Sequence, residues 1–226
     1  MTKIKSVLKK IIPSVLLDIV RPVYRLIVGD RDEAEKLGEK AKEWYDDVYR
    51  KKTAYHQHYT ESSYYFIWSV IADRLVHSGV ERIIDVGCGP GQFASLLCDK
   101  KVNDYLGVDL SDEAIKLAQE GCSKYRFVAK NVFESDLLKQ EEYDCFVSLE
   151  CLEHLEQDIE LLKMVKPGTL CLFTVPNFPY ISHVRFFNDE DSVVERYGAL
   201  FDDFNVETFL ANPTGMKYFL AEGTKT

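Results

Sequence analysis

Several features that would declare a function outright are missing from this 226-residue chain. Its six cysteines, Cys88, Cys98, Cys122, Cys145, Cys151 and Cys171, form no CxxC pair and no spacing that suits structural zinc. Most sit in apolar runs such as Asp144-Cys145-Phe146-Val147, so they read as buried, reduced thiols rather than a disulfide framework, and no metal is expected. No apolar run approaches the ~20 residues needed to span a bilayer. The stretch from Ile11 to Val20 is broken by Pro13 and Asp18 and lacks a small-residue cleavage site, so no signal peptide is expected and the chain reads as soluble and cytoplasmic. Seven prolines and twelve glycines show no period, which excludes collagen-like, solenoid and linker-rich architectures. A net charge of -9 argues against a nucleic-acid substrate, because binding phosphates calls for a basic face.

What remains is an ordinary globular composition, 46% hydrophobic and 29% charged, enough for one substantial core. Its charge is uneven: residues 1–31 carry +5 and the remainder -14. Over residues 4–28, Ile4, Val7, Leu8, Ile11, Ile12, Val15, Leu16, Ile19 and Val20 recur at spacings of three and four, predicting a basic amphipathic helix interrupted near Pro13 and Pro22. A charged helical pattern follows from Arg31 to about Lys52, with Leu37, Ala41, Trp44, Tyr45 and Val48 on one side. The aromatic segment Tyr55–Trp68 then leads into a helix ending near Ser78-Gly79. Residues 1–78 are expected to be a helical extension and lid, and residues 79–226 the core.

At Arg82 the period changes. Ile83–Val86, Tyr105–Asp109, Arg126–Ala129, Tyr143–Leu149 and Thr169–Val175 read as five short buried strands, separated by helices over Gln92–Asp99, Asp112–Glu120 and Leu155–Val165. Ser111 is a natural N-cap and Gly121 closes the helix it opens. This alternation predicts an α/β fold with a doubly wound, parallel sheet. Phe204–Leu210 and Met216–Glu222 break it, reading as a terminal β-hairpin.

The first strand runs directly into Gly87-Cys88-Gly89-Pro90-Gly91. Glycines there let backbone approach a ligand closely. The dinucleotide fingerprint would place its third glycine one position later, and the Gly-Lys-Ser/Thr of a phosphate loop is absent. Asp109 ends the second strand, where a carboxylate can accept both hydroxyls of a ribose. Together the two elements point to an adenosine-bearing ligand without a 2′-phosphate.

Ile84-Asp85-Val86-Gly87-Cys88-Gly89-Pro90-Gly91 resembles the first motif of class I S-adenosylmethionine-dependent methyltransferases, and Gly107-Val108-Asp109-Leu110-Ser111 their second. Ser148–Leu155 is similar to the fourth-strand motif of the small-molecule branch, and Lys166-Pro167-Gly168 to the turn before the fifth strand. The resemblance covers residues 80–176. It implies a Rossmann-like fold with a mostly parallel seven-stranded sheet, a terminal antiparallel hairpin and S-adenosyl-L-methionine as cofactor. Asp85, Gly87, Cys88, Gly89 and Gly91 would hold its methionine part, Asp109 its ribose, Leu110, Asn131 and Val132 its adenine, with Leu149 near the sulfonium. Asn131 departs from the acidic residue usual there, although its side-chain carbonyl can still accept from the adenine amino group.

An acceptor in such a fold lies beyond the carboxyl ends of the strands. Glu150, Glu153 and His154 follow the fourth strand, and the stretch from Asn177 to Phe187, with His183 and Arg185, follows the fifth. His183 is the preferred general base because an imidazole titrates near neutral pH, with His154 the second candidate. Glu150, Asn177 and Arg185 are candidates for the acceptor. Tyr59 and Tyr64 of the aromatic segment are candidates for the cofactor and acceptor sides of a lid, against the alternative of a stripe packed on the sheet.

The expected function is methylation of a small molecule. The Tyr-rich extension and the loop after strand five resemble methyltransferases of polysaccharide and sugar biosynthesis, so a sugar or glycan hydroxyl leads. An amino- or quinone-type metabolite and a catalytically silent cofactor-binding subunit stand as alternatives. Residues 1–28 fit either a peripheral membrane contact or a pocket cap or homodimer interface.

Overall fold

A computed structural model of the chain describes residues 38–213 and 215–226. The basic helix expected over residues 4–28, with its membrane contact, lies outside the described residues. Among those described, no helix is long and apolar enough to cross a membrane.

The sheet comprises β1 (Arg82–Val86), β2 (Asp104–Asp109), β3 (Arg126–Ala129), β4 (Cys145–Leu149), β5 (Leu170–Pro176), β6 (Phe201–Leu210) and β7 (Lys217–Lys225). Their order is β3-β2-β1-β4-β5-β7-β6. The first five strands run parallel, and β7 enters antiparallel between β5 and β6. The expected seven-stranded sheet with a terminal hairpin is therefore the one observed.

Successive residues of each central strand bury on opposite faces, which is why these strands read as unbroken apolar runs. Ile83, Tyr105, Cys145, Val147 and Leu172 enter one core; Ile84, Leu106, Phe146, Cys171 and Phe173 enter the other. After α1 (Lys42–Lys51), helices α2 (Tyr65–Ser78), α3 (Gln92–Asp99) and α4 (Asp112–Gly121) cover the first face. Helices α5 (Leu137–Gln140), α6 (Asp158–Met164) and α7 (Glu190–Tyr197) cover the second. In α2 the stripe Ile67, Ile71, Leu75 recurs every fourth residue and is fully buried. Truncating Ile71 to alanine would cost roughly 2–5 kcal/mol. Gly79, at φ 77°, ends that helix in the left-handed conformation that glycine tolerates best.

Three expectations shift. The helix foreseen from Leu155 starts only at Asp158, after a 3-10 turn at Leu152–His154. Buried Asp158 fixes that start, held by Arg196 at 2.6 and 2.7 Å and by the Tyr197 hydroxyl at 2.7 Å. The charged pattern after Arg31 becomes helical within the described residues only from Lys42. Helix α7 was not foreseen, although Asp189 and Ser192 form a reciprocal capping box at its start.

The chain winds outward from β1 through β2 to β3, then returns to β4 on the other side of β1. The carboxyl ends of β1 and β4 thus flank the crevice where open α/β sheets bind ligands.

Candidate active site at the carboxyl ends of the strands

Beyond β1 the backbone turns sharply. Gly87 and Cys88 both donate their N–H to the Val108 carbonyl, at 2.8 and 3.1 Å. Gly91, at φ 73°, could carry no side chain, since a Cβ would lie 2.8 Å from that of Ala118 on α4. Helix packing alone therefore accounts for Gly91. Gly89 differs: at φ 52°, the atoms nearest to a Cβ placed there are those of the Tyr49 ring and hydroxyl, the hydroxyl at 3.3 Å.

Asp109, at the end of β2, is 9% exposed. Its carboxylate accepts the Gly89 N–H at 3.0 Å and the Ser111 N–H at 2.9 Å. Burial outweighs these bonds and pushes its pKa up to about 6. Asp85, inside β1, accepts the Tyr105 hydroxyl at 2.5 Å through one oxygen, while the other is buried without a partner among the described residues. Burial raises Asp85 to about 7, against the Tyr105 bond that lowers it. Two buried carboxylates with spare acceptor capacity thus bracket a glycine turn. That donor set fits a nucleoside with two hydroxyls and a cationic tail.

Helix α1 roofs this turn. Asp46 accepts the Ser111 hydroxyl at 2.6 Å and the Glu113 N–H at 3.3 Å, so α1 is pinned to the start of α4, right after Asp109. Lys42 bridges Asp46 and Asp112, and Arg50 pairs with Glu113. These bonds turn Tyr45 and Tyr49, one helical turn apart, inward. Tyr49 reaches Gly89; burial first, then the Asp109 charge, holds its phenol well above the ordinary value. Tyr45 meets the His154 ring edge-on, with centroids 6.1 Å apart.

The other half of the crevice lies past β4 and β5. Glu150 adopts the left-handed backbone region, φ 53°, which non-glycine residues rarely enter, and its N–H donates to Thr174 Oγ1 at 2.9 Å. Three residues later Glu153 is fully buried. His154 Nδ1 lies 3.1 Å from the Ser182 carbonyl and His183 Nδ1 3.1 Å from the Phe178 carbonyl. A carbonyl only accepts, so both Nδ1 atoms carry the hydrogen. Both Nε2 atoms face Glu153 Oε1, at 3.7 and 3.9 Å. Burial lowers both imidazoles to about 4, so neither titrates near neutrality, which corrects the ground on which His183 was favoured as base.

The structure thus gathers Asp85, Gly87, Cys88, Gly89, Gly91, Asp109 and Leu110 around one turn, with Leu149, Glu150, His154 and His183 across from it. Tyr64 stacks with Trp68 and tilts against Tyr218, and its phenol is raised by burial and by the Glu150 charge. Five others are engaged elsewhere. Tyr59 donates to Asp99, at the end of α3 remote from the glycine turn, because its ring packs in the core. Arg185 is committed to the Leu152, Leu155 and Glu156 carbonyls and to Asp158 at 3.1 Å, because Asp158 is buried and demands a cation. Asn177 ties the loop after β5 to the hairpin through Lys217 and Gly215. Asn131 caps its own 3-10 turn through Phe133, and Val132 beside it is buried in the core. Sequence reasoning missed Tyr49, Asp46 and the meeting of Glu153 with both histidines; the one local signal was the i, i+4 repeat of tyrosines in α1.

A family model described as a methyltransferase domain matches residues 57–207. No curated protein sequence matches the chain. Among solved structures, N-methyltransferase NodS from Bradyrhizobium japonicum, in complex with S-adenosyl-L-homocysteine, is 18% identical at a TM-score of 0.57 over 72% of this chain and 87% of its own. The N-terminal domain of EvdMO1, with S-adenosyl-L-homocysteine and D-fucose, is 14% identical at 0.54 over 70% and 82%. The cyclase SpnF is 13% identical at 0.61 over 84% and 98%. At such identities the likeness is one of fold, and a cyclase among the neighbours shows that the fold alone does not choose a reaction.

Proposed function

Because the chain belongs to the family of methyltransferase domains that its residues 57–207 match, we propose that it transfers a methyl group from S-adenosylmethionine to a small molecule, and that the acceptor is a hydroxyl of a sugar or glycan precursor. The observation that carries the donor half is Asp109, a buried carboxylate bonded to the glycine turn that Tyr49 roofs. When bound, the donor supplies an electrophilic methyl group on a sulfonium. Asp109 keeps lone pairs free beyond its bonds to Gly89 and Ser111, and these accept the ribose hydroxyls. The unpartnered oxygen of Asp85 and the backbone from Gly87 to Gly91 take the methionine end, with Leu110 against the adenine and Leu149 near the sulfonium. Tyr45 and Tyr49 exclude water and hold the partners aligned, which methyl transfer needs more than it needs covalent help.

On the acceptor side, Tyr64 and Phe178 both pack on Tyr218, with centroids 5.5 and 5.8 Å apart. Such faces suit the C–H side of a sugar ring and leave its hydroxyls to polar groups. The reacting oxygen is positioned at His154 and His183, whose Nε2 lone pairs make no hydrogen bond among the described residues. Incubation with methyl-labelled S-adenosylmethionine and matched panels of sugars, amines and phenols tests the acceptor. Label on sugar hydroxyls is expected; label confined to amines or phenols would refute the sugar reading.

A further inference from the structure

Glu153, His154 and His183 offer ligand atoms that all lie within 4.8 Å of one another. Glu153 is fully buried, and among the described residues neither of its carboxylate oxygens has a hydrogen-bond partner. The nearest cation does not relieve it. Arg185 is taken up by three backbone carbonyls and Asp158. Nor do the imidazoles, since at 3.7 and 3.9 Å they are too far to donate, and their hydrogens are already spent on the Ser182 and Phe178 carbonyls. Two nitrogen lone pairs and the Glu153 carboxyl therefore converge, and no cation among the described residues is bonded to them. A ring N–H donated to a backbone carbonyl, with the opposite nitrogen free, is how proteins prepare a metal-ligating histidine.

We infer that Glu153, His154 and His183 bind one divalent first-row transition ion, whose open positions hold adjacent oxygens of the acceptor, as in a vicinal diol. Ligands about 2.0–2.2 Å from such an ion stand roughly 3–3.5 Å apart, so each imidazole closes on Glu153 by about half an ångström and the widest pair of ligand atoms by about 1.5 Å. Two imidazoles with carboxylate oxygen suit Mn²⁺, Fe²⁺, Co²⁺ or Zn²⁺ better than Mg²⁺ or Ca²⁺. Glu150, three residues before Glu153, also holds a buried Oε1 without a partner among the described residues. Its left-handed backbone, φ 53°, is the kind of strain retained at a functional site. Such an ion would fix which hydroxyl faces the methyl group, and it would act as a Lewis acid toward that oxygen. The acceptor part of this inference rests on the methyltransferase reading; the metal site itself does not.

The test uses the full chain, stripped with a chelator, dialysed and titrated calorimetrically with MnCl₂ and, separately, ZnCl₂. Wild type should bind one equivalent, and Glu153→Gln, His154→Gln and His183→Gln should each weaken it at least ten-fold, with the double histidine variant binding none. Titration with S-adenosylmethionine and thermal melting serve as controls for folding. Folded wild type that binds the methyl donor but neither metal would overturn the site, as would metal binding that the three variants leave unchanged. Metal binding without donor binding would instead uphold the site and refute the methyltransferase reading.

Discussion

At the ends of β1 and β2 the turn is held mainly through backbone: Asp109 accepts from Gly89 and Ser111, Gly87 and Cys88 share the Val108 carbonyl, and among the described residues one buried side-chain oxygen, that of Asp85, lacks a partner. At the ends of β4 and β5 the buried polar atoms outnumber their partners, with Glu150, Glu153 and Ser182 all holding oxygens unbonded among the described residues. Both halves belong to one crevice. The donor half, the Asp85 oxygen aside, is a completed scaffold whose shape is set by local chain geometry. The acceptor half is an unfinished one, and an unpaired buried group costs more than a made hydrogen bond returns. Such a cost is retained where a ligand removes it, so the imbalance marks the half that handles the variable substrate.

If that contrast is real, substitutions on the two sides fail in different ways. The largest effect falls on the acceptor side: His183→Gln, by misplacing the acceptor, should cut methyl transfer by about 10²-fold while leaving donor affinity within about two-fold. Steady-state kinetics beside a donor titration read both numbers, and a parallel loss of donor affinity would break the contrast. On the donor side, Gly91→Ala should fail through folding instead. Its Cβ would meet Ala118 at 2.8 Å on a φ of 73°, and the strain should cost roughly 1–3 kcal/mol, seen as a lower melting temperature.

A smaller effect sharpens the role of Asp109. Its pKa in the free protein is pushed up to about 6 by burial, above the ordinary value near 3.9. Ribose hydroxyls bond more strongly to the ionised form than to the acid, so donor affinity should be flat above about pH 6 and weaken below it, by at most about ten-fold per unit. Asp109→Asn, unable to titrate, should lose that limb of the profile. The smallest effect concerns the roof. Asp46→Ala removes the tie from α1 to Ser111 and should weaken the donor by about 1 kcal/mol, roughly five-fold, with turnover near normal once donor is saturating.

The two halves were also unequally legible in the sequence. Strands β1 and β2, the glycine turn and Asp109 were readable because each is local: glycines mark positive φ, and a strand-end carboxylate declares itself within a few residues. His154 and His183 were readable one at a time, as residues following strands. Their meeting at Glu153 was not, because 28 residues and two loops separate the histidines. Tyr49 escaped notice because which face of α1 turns inward is decided by Asp46 reaching Ser111, 65 residues away. Tyr59 was misplaced for the converse reason, since an aromatic run without a period cannot say which ring enters the core. For Arg185 the sequence offers an acceptor's carboxylate or phosphate, or the nearby Asp189 and Glu190, whereas its partner is buried Asp158, 27 residues earlier, which sequence does not distinguish from an ordinary helix acid.

The most direct test of the donor assignment is calorimetric titration of S-adenosylmethionine into wild type and Asp109→Ala, with NAD as a control. Loss of hydrogen bonds to a carboxylate should cost roughly 1.5–3 kcal/mol, a weakening of about ten- to over one hundred-fold, with no binding of NAD. Equal affinity in the two proteins, or binding of NAD in place of the methyl donor, would contradict the account.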